Sequence, residues 1–261
     1  MKLKMLKESI AGLKKIKFYI YFAACLFLLG SVIGFVNSSQ LGFLDELLKE
    51  LAEKVEGFNA FEMIFFIFQN NIKSAFYTIL FGFFIGIFPL INALGNGVLL
   101  GYVVSKAVVI DGWITIWKLF PHGVFELPAI FIAMGLGMNL GFGFLENYFS
   151  EYKKNKKMKI YGVLSILLAF FGLFFLLSPL SLDFDTSVSS TILSNVLFVL
   201  FGFFLVMPFF LLFLSNKKIR KIQKKSFLTN IYLSIKVFLT IVLPLLIIAA
   251  IIEGLFIAYY T

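Results

Sequence analysis

Seven long apolar stretches dominate the chain, at roughly 18–36, 72–91, 95–112, 124–145, 160–179, 190–214 and 228–258. Each is close to the roughly 20 residues that an α-helix needs to cross a bilayer. In hydrocarbon every backbone N–H and C=O must be paired within its own segment. The pattern therefore predicts an all-α, polytopic transmembrane bundle of about seven crossings. Between the first two stretches the pattern changes. Leu44, Leu47, Leu48, Leu51, Val55 and Phe58 recur at three- and four-residue spacing, with acids and lysines between them. This period predicts an amphipathic helix near 41–56, lying on the membrane surface or against the bundle. Asn59 and Glu62 then read as a capping box, with Phe58 and Met63 as its hydrophobic staple, so a second helix starts near Ala60. It runs into Gln69-Asn70-Asn71-Ile72-Lys73-Ser74, where the second crossing begins, and a turn is expected over Pro89–Gly97, holding Asn92 and Asn96.

Charge orients these segments. Lys2, Lys4, Lys7, Lys14, Lys15 and Lys17 precede the first crossing. With that end cytoplasmic, alternation places the lysines at 153–159 and the basic run 217–225 inside as well. The acidic loop with Asp45, Glu46, Glu50, Glu53, Glu56 and Glu62 falls outside, as do Asp183 and Asp185. Basic loops land inside each time, as the positive-inside rule requires. The expected organisation is a single transmembrane domain over 1–261 in the cell membrane, multi-pass, with the C-terminus external. Within it, 1–17 is a basic cytoplasmic lead, 37–73 an external amphipathic segment, 70–145 a glycine-rich core and 160–258 a set of peripheral helices. The first apolar run is long and has no small-residue cleavage site after it, so it is read as an uncleaved crossing.

Composition agrees. Apolar residues are 61% and charged residues 14% of the chain, against about a quarter charged in a soluble globule. The net charge of +9 does not call for nucleic acid, because the basic residues sit in short runs beside apolar segments, where anionic lipid headgroups are their partners. Arg220 is the only arginine, which weakens any case for bidentate phosphate recognition. Cys25 is the only cysteine. No intrachain disulfide is available, and in its apolar run it is expected to be a buried small hydrophobe.

Gly30/Gly34, Gly82/Gly86, Gly97/Gly101 and Gly137/Gly141 are each four residues apart. Small residues at this spacing let helix backbones approach closely in lipid. All four pairs fall in the first 145 residues, so helix packing is expected to be tightest there. Internal packing accounts for them without a homo-oligomer, which the pattern neither requires nor forbids.

The chemistry concentrates around one block. Pro121-His122-Gly123-Val124-Phe125-Glu126-Leu127-Pro128 holds the only histidine of the chain, four residues from a glutamate, between two prolines. Pro121, Gly123 and Pro128 disfavour one continuous helix, so a broken or re-entrant helix is expected near 113–128, with Pro128 in the first turn of a crossing. Ionisable groups at membrane depth are costly unless paired or wetted and mark functional sites. Glu253, in the last apolar segment with no neighbouring charge, belongs to the same class. Asn71, Asn96, His122, Glu126 and Glu253 are expected to form one intramembrane polar cluster. Lys106 is read as snorkelling outward or as a counter-ion for Asp111.

Asn70-Asn71 before a glycine-rich helix, Asn96-Gly97 with Gly101, the Pro-His-Gly block with Glu126-Leu127-Pro128-Ala129-Ile130, and the late Ala249-Ala250-Ile251-Ile252-Glu253 resemble the stage II sporulation protein M family. The resemblance implies an integral membrane protein. In spore-forming bacteria the family's namesake assembles with peptidoglycan-degrading proteins at the engulfing septum, which implies other membrane proteins as partners.

Three functional readings follow. Buried polar groups can staple membrane helices at about 1 kcal/mol per hydrogen bond. The protein is then a membrane scaffold or assembly component, with the cluster pinning the broken helix. Alternatively, a lone imidazole and two membrane carboxylates can serve as a proton or cation site in a transporter or permease-like protein. Third, His122, Glu126 and Glu253 are the set available to an intramembrane metal-dependent hydrolase, although most zinc sites use more than one His or Cys. No catalytic residue and no cofactor is assigned: the chain has no Gly-x-Ser-x-Gly and no phosphate-binding loop.

Overall fold

The computed structural model describes residues 2–82, 86–152 and 217–260, with side chains over 4–82, 86–114, 123–143 and 225–255. Every regular element among them is helical. They are α1 (Lys2–Val36), a short 3-10 turn (Ser38–Gln40), α2 (Phe43–Val55), α3 (Ala60–Phe81), α4 (Ile87–Asp111) and α5 (Thr115–Tyr152). After the undescribed stretch come α6 (Lys217–Val237), a π turn (Phe238–Val242) and α7 (Leu243–Tyr260). One compact unit comprises Met1–Gly143 with Leu228–Thr261, and a second covers Phe144–Phe227. Of the second, the backbone ends of α5 and α6 are described, and both are helical.

Four stretches among the described residues are long and apolar enough to cross a membrane: Lys4–Val36, Ile87–Asp111, Gly123–Gly143 and Lys225–Leu255. The expected crossings at 160–179 and 190–214 lie outside the described residues. The one expected over 72–91 is not a single helix. α3 ends at Phe81, and the chain turns between Gly82 and Gly86, where Gly86 adopts a left-handed φ of 69°. Pro89 explains the difference. It is the third residue of α4, in the first turn, where a helix has no use for the missing N–H. The proline therefore opens a helix instead of closing one, and Asn92 and Asn96 sit on α4 and not in a turn.

The expected break at Pro121–Gly123 is also absent, since α5 runs unbroken from Thr115 to Tyr152. A proline in a membrane helix frees one carbonyl and distorts one turn. Neighbouring helices and local adjustment commonly absorb this.

α2 and the start of α3 form where the sequence pattern puts them. α2 carries Asp45 and Glu46 in its first turn and Lys54 in its last, matching the helix dipole at both ends. Asn59 caps α3: its side chain accepts from the Glu62 N–H at 3.0 Å, and Glu62 accepts from the Asn59 N–H at 2.9 Å. The Phe58 ring meets Phe66 edge-on, at 5.9 Å between centroids.

α5 is the central helix of the first unit. From Ala129 to Gly143 nearly every residue is buried. Its Ala129, Ile132, Ala133 and Leu136 join Ile16 of α1, Ala75 of α3 and Val237, Val242 and Leu246 of the α6–α7 rod in one core. Met134 and Met138 turn to the other side, against Ala23 and Ala93. The α6–α7 rod thus helps to build the core and is not a peripheral layer.

α1 and α4 pack along each other through glycine. A Cβ at Gly97 or Gly101 would collide with the carbonyl oxygens of Phe27 and Ser31. One at Gly30 or Gly34 would collide with those of Leu94 and Val98. Gly82 and Gly137 bring α3 and α5 equally close, and Gly141 is buried on α5. α1 packs on α4, α5, α6 and the π turn, and Cys25 lies off these faces and is exposed, contrary to its expected burial.

Candidate functional site: a carboxylate pair in an apolar groove

α1, α4, α5 and α7 border a groove of about 660 Å³. Its walls are largely apolar, including Phe27, Val104, Leu127 and Phe131, and Phe27 and Phe131 meet edge-on at 5.3 Å. Three polar side chains line it: Asn96 from α4, Glu126 from α5 and Glu253 from α7. Helical geometry brings Glu126 to this wall. Leu127 and Ile130, near neighbours and one turn on, line it too, while Ala129 and Ala133 face the core.

Asn71 of α3, whose side chain is buried, interacts with Glu126. Glu253 faces Glu126 from α7. Its Oε2 is buried and has no hydrogen-bond partner among the described residues. Asn96, Glu126 and Glu253 thus line one groove, and Asn71 is not among its lining residues. His122 lies on α5 one turn before Glu126, and its side chain is outside the described residues. Among the described residues no group of three His, Cys, Asp or Glu gathers in a way that could hold a metal.

Sequence reasoning missed the partners of these groups. Asn96 donates its amide to the Asn92 carbonyl at 2.8 Å and to the Asn92 side chain. Asn92 in turn donates to the Thr78 hydroxyl on α3. A polar string thus links α3, α4 and the groove. Thr and Asn at isolated positions in apolar helices leave the hydrophobic period intact, so nothing singled out Thr78.

Two further groups of polar contacts join helices of the first unit. Asp45 of α2 accepts from the Tyr102 hydroxyl at 2.6 Å and from Lys106 at 3.1 Å, both on α4, and Ser105 pairs with Ser38 at 2.8 Å. Lys106 thus pairs with Asp45 of α2. The hydrogen bond from Tyr102, then that from Lys106, holds the Asp45 carboxyl below the usual carboxylate range. Elsewhere Lys236 of α6 forms an ion pair with Glu8 of α1 and lies over the Tyr232 ring. The Thr240 hydroxyl in the π turn donates to the Lys236 carbonyl at 2.8 Å and accepts from Ser9, also at 2.8 Å. A signal for the ion pair existed: Glu8 is the only acid among the N-terminal lysines, and Lys236 is the only lysine between 226 and the C-terminus.

The sequence profile described as "Stage II sporulation protein M" matches residues 23–182, more than half of the chain. The chain belongs to this family. The matched stretch contains Asn71, Asn96, His122 and Glu126, so three walls of the groove fall within the stage II sporulation protein M region. Glu253 lies beyond it and reaches the groove only because the α6–α7 rod packs back on α3 and α5. No curated protein and no solved structure matches the chain.

Proposed function

We propose that this membrane protein is permease-like, and that Glu126 and Glu253 form its proton- or cation-binding site. The observation that carries the reading is the pair itself. Two carboxylates from different helices face one groove, and a buried oxygen of Glu253 has no partner among the described residues. Two carboxylates at membrane depth are costly, and a proton or a cation held between them relieves that cost. We place the protein in the cell membrane with several crossings, the N-terminus cytoplasmic and the C-terminus external, on the distribution of its lysines.

Flux measurements in liposomes containing the purified full chain test this. Proton or monovalent-cation flux above that of protein-free liposomes is expected, and it should be lost in both Glu126→Gln and Glu253→Gln. Equal leak in wild type, variants and empty liposomes would remove the reading.

One contact favours a second reading. The Asn71 side chain at Glu126 joins α3 to the central helix, as a structural staple would. On this reading the protein is a membrane scaffold or assembly component that docks other membrane proteins, and the cluster pins intact helices. Asn71→Ala and Glu126→Gln would then lower the melting temperature in detergent while no flux is seen in any form. Unchanged melting in both variants would exclude the staple.

A further inference from the structure

We infer that the groove takes an organic ammonium, namely a primary amine carried on an apolar body. The inference rests on reading Glu126 and Glu253 as a cation site, and it names the class of cation.

Size is the first argument. The groove measures about 660 Å³, whereas a water molecule takes roughly 30 Å³ of liquid volume. A proton or a bare inorganic ion needs only the space between the two carboxylates. The rest of the groove falls in the range of pockets for small organic molecules, about 300–1,000 Å³.

The lining is the second argument. Phe27, Val104, Leu127 and Phe131 offer no ligand to a hydrated ion, and an ion that kept its water there would sit against hydrocarbon. An apolar body fits these walls.

Hydrogen-bonding capacity is the third. Ionised glutamates only accept. Asn96 has its amide nitrogen committed to Asn92, which leaves its carbonyl oxygen for the groove. Every polar side chain that lines the groove among the described residues therefore offers an acceptor. The matching head group must bring N–H donors as well as charge. A primary ammonium brings three, enough to serve Glu126, the unpartnered oxygen of Glu253 and Asn96, while a quaternary ammonium brings none. Head and body together specify the ligand by charge complementarity at one end and apolar contact along the rest.

The probe is dansylcadaverine, a fluorescent primary amine with an aromatic body, titrated into the purified full chain in detergent. Its N-acetylated form, which is neutral, and its N-trimethylated form, which keeps the charge without donors, serve as comparisons. Saturable binding of the amine is expected, at least tenfold tighter than of either comparison. Glu126→Gln and Glu253→Gln should each weaken it by at least tenfold. Val104→Trp, which fills the groove from the α4 wall, should weaken it as well.

Equal binding of all three compounds, or wild-type binding in the Gln variants, would overturn the inference. So would amine binding unchanged by Val104→Trp. Proton or inorganic-cation flux that needs both glutamates, with no saturable amine binding, would overturn the inference alone and leave the cation-site reading standing. Absence of both flux and binding would remove the two together. A Val104→Cys thiol in a Cys25→Ser background tests for another occupant. Its protection from a membrane-permeant maleimide, with no amine bound, would mean that a protein segment fills the groove, and would also overturn the inference.

Discussion

Tyr102 donates its hydroxyl to Asp45 at 2.6 Å, and this bond fastens the amphipathic α2 to the far end of α4. The tyrosine is fully buried, whereas Leu47 and Leu51 of α2 remain exposed, so α2 is held by a few polar bonds more than by packing. Tyr102→Phe keeps the ring and removes the bond. Amide hydrogen exchange across residues 43–55 should rise several-fold, with little change in α1 and α5. Unchanged exchange in α2 would show that its apolar face suffices to hold it.

The same contact sets a pH dependence. The Asp45 carboxyl is held below its usual range, so the folded state favours the ionised form. Its contribution is complete above the ordinary aspartate value of about 3.9 and fades as pH falls through the lower folded value. Exchange in α2, taken relative to the intrinsic amide rate at each pH, should therefore stay flat from neutral pH down to that region and then rise. In Asp45→Asn it should be raised at neutral pH and lose the acid step. An acid step of the same size in the variant would assign it to another group.

Glycine contacts between α1 and α4 give a pair of opposite outcomes. A side chain at Gly101 would strike the Ser31 carbonyl, whereas Gly95 on the same helix has open space around it. Gly101→Leu should destabilise the protein by about 1–3 kcal/mol through overpacking. Gly95→Leu should be neutral or slightly stabilising, because leucine is the better helix former. Thermal unfolding in detergent reads both, and equal effects would contradict the close approach.

The ion pair between α1 and α6 is asymmetric. The Lys236 side chain is 8% exposed and that of Glu8 is 45% exposed. Removing the glutamate strands a buried charge, while removing the lysine leaves a carboxylate that can turn to water. Glu8→Gln should therefore lower the melting temperature more than Lys236→Met, and the double variant should recover part of the loss. The reverse order would show that Lys236 is hydrated in the folded protein.

Some of this architecture could be read before any coordinates and some could not, for identifiable reasons. The α3 cap was readable because Asn59 and Glu62 act within one turn, with no tertiary partner needed. The start of α4 was misplaced because Pro89 forbids a helix interior and favours a helix start, and only the conformation at Gly86 decides between the two. The break expected at Pro121 assumed that a proline ends a helix, as it tends to in water. α5 is packed on several sides from Ala129 onward and continues through both prolines. Asn96, Glu126 and Glu253 stand out from the sequence because polar groups are rare in these helices. Their meeting was an expectation of the sequence, but the apolar groove around them was not, because it depends on how α4, α5 and α7 are rotated about their own axes. Glu8 and Lys236 each stand out as the odd charge in its own segment, but they are more than two hundred residues apart, so local pattern does not pair them.

The π turn at Phe238–Val242 has a consequence for that rotation. A helix of 3.6 residues per turn advances about 100° per residue, and a π turn accommodates one residue more than an α turn would. That single residue shifts the phase of everything after it. Deleting one residue there would swing Glu253 about a quarter of the way around α7 and point its carboxylate away from Glu126, with every groove side chain still present in the sequence. The aim of Glu253 is thus written about three turns upstream, in the number of residues and not in their identity.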